Sequence, residues 1–433
     1  MPQLTIEGLV HGGETLARLD GRVVFVRGGA PGDVVLAELT GDEKTFLRAR
    51  VTSVVRAGPD RVEPPCPIVA SCGGCPAQQV GYVAQVREKE RLLDDALVRV
   101  GGVQLASVER RPMLRSPSEF RYRRRARLHR GPQGTWGFSG AIDDEERAHA
   151  IVPVSTCLLF EPALQTLHER VQEALASLGA LPEVTDLGLD VSSAGAGAIE
   201  LHTRDTPTPG LRKKAEALLK LKGVKGIVLG PTGAPQLLGQ PVLTDAPHEG
   251  QKARLRSRPD LFAQANRAGV PLLQRELVSA LGTFAQGRVL ELFCGAGTLT
   301  LPLLEAGARV LGAESVGPSL QLLRTSADEA GLSSKLRIVA GDASAISKQL
   351  VVEQERFEAI VLDPPRTGAA EVVRLLPALS PKRVVYVSCE PTTLARDAKL
   401  LQERGFSLVS ARGLDLFPQT AHQEVVAVFE PRG

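Results

Sequence analysis

No apolar run in this 433-residue chain approaches the ~20 residues needed to cross a bilayer, so a membrane role is not expected. Met1–Ala17 lacks a basic head followed by an apolar stretch; no secretory leader is expected, and the protein is placed in the cytoplasm. Cysteine is scarce, at six residues. So few thiols in a reducing compartment argue against a disulfide framework and for metal binding or catalysis. Nor is charge of one sign in large excess: a net +3 does not by itself argue for nucleic acid. Internal repeats are missing as well. Nothing indicates an obligate protein partner, and a monomer is expected. What is present is an ordinary globular composition, 43% hydrophobic and 23% charged, in a chain too long for one core.

Three textures succeed one another. Residues 1–57 alternate apolar and polar over Leu4–Val10, Arg22–Val26, Val34–Leu39 and Leu47–Val55. Turns at Gly12-Gly13, Asp20-Gly21, Gly28-Gly29 and Pro31-Gly32 separate them, the pattern of a small closed β-barrel of the oligonucleotide-binding type. Residues 58–258 open on Pro64, Pro65 and Pro67, continue with a helix expected over Tyr82–Val100, and mix strands with Gly/Pro-rich segments. This stretch carries an arginine block at residues 121–130, including Arg123, Arg124 and Arg125, beside Phe120 and Tyr122. Forked guanidinium groups of that density suit RNA phosphates, whereas the lysines between Lys213 and Lys225 are read as a solvated face. From residue 259 to 433 strands and helices alternate strictly. Apolar runs at Arg288–Phe293, Arg309–Ala313, Leu336–Val339, Ala359–Leu362, Val384–Val387 and Val425–Phe429 predict a doubly wound α/β sheet.

Such sheets bind ligands outside the carboxyl ends of their strands. The first strand runs into Phe293-Cys294-Gly295-Ala296-Gly297, whose small residues admit a ligand close to the backbone. The third glycine of a dinucleotide fingerprint is absent, Thr300 standing in its place. Glu314 ends the second strand, where a carboxylate can hold ribose hydroxyls, and Asp342 ends the third, within reach of an adenine edge. Each acid singly also suits a helix N-cap. Together with the missing glycine they favour S-adenosylmethionine over a nicotinamide.

Strand four ends in Asp363-Pro364-Pro365-Arg366 and strand five in Ser388-Cys389-Glu390-Pro391. A cysteine after an apolar strand is more often buried packing, but the helix expected from Pro391 places a helix N-terminus beside Cys389, which would lower the thiol pKa. Carbon 5 of a pyrimidine is a poor nucleophile. Addition of a thiolate at C6 turns the ring into an enolate whose C5 attacks a methyl donor, and a base then removes the C5 proton. Residues 417–424 offer His422 and Glu424 for that step. Amine methylation is the rival reading of Asp-Pro-Pro; Arg366, where those enzymes carry an aromatic, weakens it. A cytosine C5 enzyme would want a second cysteine between Asp363 and Arg383, and none is there.

Cys66, Cys72 and Cys75 sit in a Pro/Gly-rich loop, with Cys157 downstream. One C-x-x-C is too few for paired zinc knuckles, and the radical spacing C-x3-C-x2-C is absent, so metal binding is expected with the metal open.

These residues resemble the RNA 5-methyluridine methyltransferases of the TrmA/RumA type, in the form that carries a TRAM barrel and a [4Fe–4S] cluster. The resemblance covers nearly the whole chain. It implies an α/β class I (Rossmann-like) methyltransferase domain behind an OB-type TRAM barrel and a central α+β iron–sulfur domain, with Cys66, Cys72, Cys75 and Cys157 as cluster ligands. Residues 259–266 match the family's F-x-Q-x-N motif. By that match Phe262 stacks on the target base and Gln264 reaches into the active site beside the methyl donor. Cys389 is then the nucleophile, Glu424 the base and Asp363 the acid that contacts uracil and borders the donor site. Phe293, Gly295, Gly297, Glu314 and Asp342 fall where the family binds S-adenosylmethionine. The substrate implied is RNA, 23S ribosomal RNA before transfer RNA. A non-catalytic RNA-binding protein on the same fold would have lost Cys389 or Glu424, and both are present. Two positions depart from the family pattern: Glu390 after the nucleophile, where Asn is common, and Gln423 before the base, where Val is common. An unpaired carboxylate at 390 would raise the thiol pKa, so Glu390 is expected to be paired or turned away.

Overall fold

The computed structural model describes residues 1–141 and 150–432, and these fall into two compact units assembled from interleaved segments. The first comprises Met1–Leu92, Ser118–Leu243 and Phe417–His422; the second comprises Leu93–Pro117, Thr244–Leu416 and Gln423–Gly433.

The first unit opens with six strands, β1 (Gln3–Thr5), β2 (Gly8–Leu9), β3 (Thr15–Leu19), β4 (Arg22–Arg27), β5 (Val34–Asp42) and β6 (Phe46–Arg56), ordered β1-β5-β6-β4-β3-β2. The peptide N–H of Ile6 donates to Asp33 O and that of Glu7 to Leu16 O, so the β1–β2 segment ties both edges and rounds the sheet into a barrel. Inward-facing Leu4, Ile6, Ala17, Val24, Val26, Val35, Ala37, Leu47 and Ala49 fill it. The alternation that predicts this barrel misses β3, whose inward residues are Thr15 and Ala17. Helix α1 (Tyr82–Arg99) follows, within one residue of its expected span; strand β7 (Glu109–Arg110) pairs in the second unit.

The rest of the first unit is a seven-stranded sheet of β8 (Arg125–Arg130), β9 (Trp136–Ser139), β10 (Ile151–Pro153), β11 (Val184–Val191), β12 (Gly197–Thr203), β13 (Val224–Gly230) and β14 (Gln236–Gly239), in the order β10-β9-β8-β11-β12-β13-β14. Helices α2 (Pro162–Leu178) and α3 (Pro209–Leu218) bury Leu164, Leu167, Val171, Leu211 and Leu218 in one core with Leu187, Leu189, Ile199 and Ile227.

In the second unit come β15 (Leu243–Thr244, begun in the first), β16 (Arg256–Ser257), α4 (Val270–Leu281), β17 (Arg288–Leu292), α5 (Thr300–Ala306), β18 (Arg309–Glu314), α6 (Gly317–Glu329), β19 (Leu336–Ala340), α7 (Ala343–Val352), β20 (Ala359–Leu362), α8 (Ala370–Val373), β21 (Arg383–Ser388), α9 (Pro391–Glu403), β22 (Phe406–Leu414) and β23 (Glu424–Pro431). The sheet runs β19-β18-β17-β20-β21-β23-β22-β7. Its first five strands are parallel, and β23 runs antiparallel to both neighbours. β20, with every residue fully buried, shows the continuous apolar run of a strand covered on both faces. Strand order reverses between β17 and β20, the switch point where this architecture opens its binding crevice. Leu93–Pro117, which the sequence textures place with the central region, belongs to this unit because β7 pairs with β22. Among the described residues no helix is long and apolar enough to cross a membrane.

Candidate active site

The geometry begins with a ladder. Ser388 stands opposite Val425 where β21 meets β23. The next residue outward on each strand is Cys389 and Glu424, so antiparallel pairing alone places a thiol across from a carboxyl. Leu362 pairs with Tyr386 on the other side of β21, and Asp363 follows Leu362 directly. Three strand ends thereby converge on one spot. Beneath them, the buried Tyr386 hydroxyl donates to Asp397 Oδ2 at 2.7 Å, anchoring β21 to α9.

Burial governs the electrostatics. It pushes the Asp363 carboxyl up. It also drives Glu424 well above the usual carboxylate range, with the negative charge of Asp363 adding to the effect. A hydrogen bond from Gln264 and the charge of Arg366 act on Glu424 in the opposite direction. Both shifts run toward the protonated form, because two buried carboxyls disfavour sharing two negative charges. Cys389 is raised to about 11, first by burial, then by Glu424, with Arg366 lowering it and Asp363 raising it. This overturns the expectation that the following helix lowers the thiol pKa. Helix α9 does begin at Pro391, but burial and the neighbouring carboxyls outweigh any lowering at its N-terminus. Glu390 is the N-cap, and its Oε1 accepts from Thr392 N at 3.3 Å. The Glu390 carboxylate is thus paired, as the sequence reading requires, and burial together with two other carboxyls raises the thiol.

Two contributors escape sequence reasoning. Arg366, noted above only for not being aromatic, is the cation acting on both Cys389 and Glu424. Glu291, inside the apolar run of β17, is 1% exposed; burial pushes it up to about 8, Thr300 offsetting part of this and Asp363 adding to it. A carboxylate in the middle of an otherwise apolar strand was the available signal.

Asn266 is fully buried, its amide nitrogen donating to Ser116 Oγ at 3.0 Å and Leu416 O at 3.1 Å, while its Oδ1 accepts from Gly269 N at 2.9 Å. That lock holds the loop bearing Gln264, which is buried, and Phe262, which is 77% exposed. A large aromatic held out from a rigid loop is free to stack on a planar partner. His422, the other base considered, packs edge-on against Phe417 with ring centroids 6.3 Å apart.

At the neighbouring strand ends, Phe293 has φ +66° and Gly295 φ +52°, a tight left-handed turn. Gly297, at φ +92°, lies where a Cβ would stand 2.5 Å from Leu323 Cδ1. Glu314 Oε2 accepts from Gly295 N at 3.0 Å and its Oε1 from Val316 N at 2.8 Å, so the second-strand acid braces the glycine turn. Asp342 is the N-cap of α7, its Oδ1 accepting from Ser344 N and Ala345 N.

In the first unit Cys66, Cys72, Cys75 and Cys157 line a single cavity of about 60 Å³, walled by apolar side chains including Ile68, Val69, Phe138, Val154 and Leu159. All four are free thiols. Burial raises Cys72 and Cys157 and pushes Cys75 up to about 12. Among the described residues no three metal-binding side chains already stand in the geometry of a metal site. The arginine block turns substantially inward. Arg124 is buried against Asp190, Nη2 to Oδ1 2.8 Å. Arg127 pairs with Glu200 at 2.6 Å, and burial lowers the pKa of Arg125. Arg123 lines the cysteine cavity.

Comparison with known proteins accords with this geometry. Residues 3–52 match the TRAM domain, and residues 241–431 match the family described as tRNA (Uracil-5-)-methyltransferase. The fold matches the crystal structure of the Pyrococcus abyssi tRNA (uracil-54, C5)-methyltransferase in complex with S-adenosyl-L-homocysteine. The TM-score is 0.74 over 99% of this chain and 100% of that one, at 21% identity. The fold is that of an S-adenosylmethionine-dependent methyltransferase. Full-length relatives narrow the class. The 23S rRNA (uracil(1939)-C(5))-methyltransferase RlmD of Acidithiobacillus ferrooxidans is 34% identical over 99% of this chain and 97% of its own length. That of Edwardsiella ictaluri is 33% identical over 96% and 93%. The chain belongs to the S-adenosylmethionine-dependent RNA (uracil-C5)-methyltransferase family.

Proposed function

We propose that the protein methylates C5 of a uridine in 23S ribosomal RNA, at the position corresponding to that named for its relatives, with Cys389 as covalent nucleophile. The observation carrying the mechanism is the meeting of Cys389, Glu424 and Asp363 at three adjacent strand ends. Phe262 stacks on the uracil and Gln264 orients Glu424. The Cys389 thiol gives up its proton to solvent, and the resulting thiolate adds to C6, the C5–C6 electron pair moving toward O4. Arg366 is the cation that favours the thiolate as it forms, and Asp363 meets the polar edge of the ring. C5 then takes the methyl group. Glu424 removes the C5 proton, and the electrons left behind re-form the double bond and expel the thiolate. The burial that raises the Glu424 pKa makes it a stronger base for that proton. S-adenosylmethionine, when bound, supplies the methyl group; Phe293, Gly295, Gly297, Glu314 and Asp342 are the residues proposed to hold it. The barrel, together with Arg121, an exposed member of the arginine block, is proposed to hold the surrounding RNA.

The four cysteines are proposed to hold a [4Fe–4S] cluster. Four free thiols on one apolar-walled cavity suit it, and a cationic iron centre would stabilise as thiolates the three, Cys72, Cys75 and Cys157, that burial raises. Held by these four residues, such a cluster would tie the loop at Cys66–Cys75 to the segment at Cys157. Transfer of labelled methyl to 23S transcripts, and not to transfer RNA transcripts, is the expected result. Transfer to transfer RNA alone would overturn the substrate assignment.

A further inference from the structure

The cysteine cavity contains a cation that the methyl-transfer chemistry does not use. Arg123 lines it together with all four thiols, and its Nε is buried without a hydrogen-bond partner. Its backbone is pinned, with N–H donating to Leu159 O at 2.8 Å and O accepting from Glu161 N at 2.9 Å, so the side chain issues from a fixed point paired with Phe160, three residues after Cys157. Its neighbours in sequence are committed elsewhere: Arg124 to Asp190 and Arg127 to Glu200. A second arginine, Arg27, acts on Cys72 from the barrel, but its Nη2 already donates to Ala70 O at 3.2 Å. Arg27 acts on Cys72, whereas Arg123 acts on both Cys75 and Cys157 from within the cavity lining.

An iron–sulfur cluster held by four thiolates is an anion that gains one more negative charge on reduction. Its potential is set by nearby charge, by N–H donors to sulfur and by solvent access. We propose that Arg123 is the built-in counter-charge of the cluster, supplying a buried N–H donor to the sulfurs and raising the reduction potential. The assignment rests on the reading that the four cysteines hold that cluster. It makes the arginine a positioning residue for the cluster rather than a phosphate contact.

The test uses full-length protein, purified and reconstituted without air, in a redox titration followed by electron paramagnetic resonance. Arg123→Gln is expected to titrate at a more negative potential than wild type and to lose its visible absorbance faster in air. Arg123→Lys keeps the charge without the Nε donor and falls between the two. Arg27→Gln stays with wild type. Thermal melting followed by circular dichroism separates these effects from misfolding. Should Arg123→Gln fail to take up iron, Arg123→Lys decides: a negative shift supports the assignment, and a wild-type potential overturns it. An unshifted Arg123→Gln overturns it while leaving the cluster reading intact. If the wild type itself takes up no iron–sulfur cluster, the cluster reading falls and this assignment with it.

Discussion

At the scale of single residues, the resting site is closed to casual chemistry. With its pKa near 11, the Cys389 thiol is almost wholly protonated at neutral pH. Its alkylation by iodoacetamide, followed by peptide mass spectrometry in the substrate-free protein, is expected to be slow at pH 7. It should accelerate about tenfold per pH unit until near the pKa. Asp363→Asn removes a charge that raises the thiol, so it should speed alkylation at pH 8; Arg366→Gln should slow it. Rapid alkylation at pH 7 would contradict this electrostatic account. Glu424→Gln leaves the nucleophile but not the base. Turnover should fall by roughly 10²–10⁴-fold, and a methylated covalent RNA adduct should accumulate on a denaturing gel. Cys389, Asp363 and Glu424 were legible in the sequence because each is a polar group where an apolar strand ends or begins. The thiol's pKa was not legible. It is set first by burial and then by the carboxyls across the sheet, which together outweigh what a local rule about helix N-termini anticipates.

Elements carry the next set of consequences. The turn after β17 uses two glycines differently. A Cβ at Gly297 would strike Leu323 at a backbone angle that already disfavours it, whereas one at Gly295 meets nothing within 4 Å. Gly297→Ala should therefore lower stability by about 1–3 kcal/mol and weaken donor binding, as read by melting and calorimetry. In β8 the register sets Arg125 opposite Asp190, and Arg124 reaches the same carboxylate. Asp190→Asn leaves a buried guanidinium without its counter-ion and should cost about 3–5 kcal/mol in urea unfolding. Read as a string, the arginine block resembles a phosphate clamp; the acids that pair with it lie more than sixty residues away on β11 and β12, beyond any local pattern. The six apolar runs predicted for the α/β sheet are all strands. Strand β22 escaped notice because a bulge between Leu408 and Ser410 breaks its alternation.

For the molecule as a whole, the chain returns to each unit after leaving it. Phe417–His422 joins the first unit while Glu424, two residues on, begins a strand of the second. Composition and texture divide a chain only into consecutive stretches, so this interleaving was out of reach of the sequence even where the fold class was plain. The central claim joins the reaction class to one sulfur atom. RNA carrying 5-fluorouridine blocks proton removal at C5, so the enzyme should stall as a covalent complex on a denaturing gel. That complex is predicted to depend on S-adenosylmethionine and to vanish in Cys389→Ala. A wild-type enzyme that methylates ordinary RNA yet leaves no such complex on the fluorinated substrate would contradict covalent catalysis by Cys389.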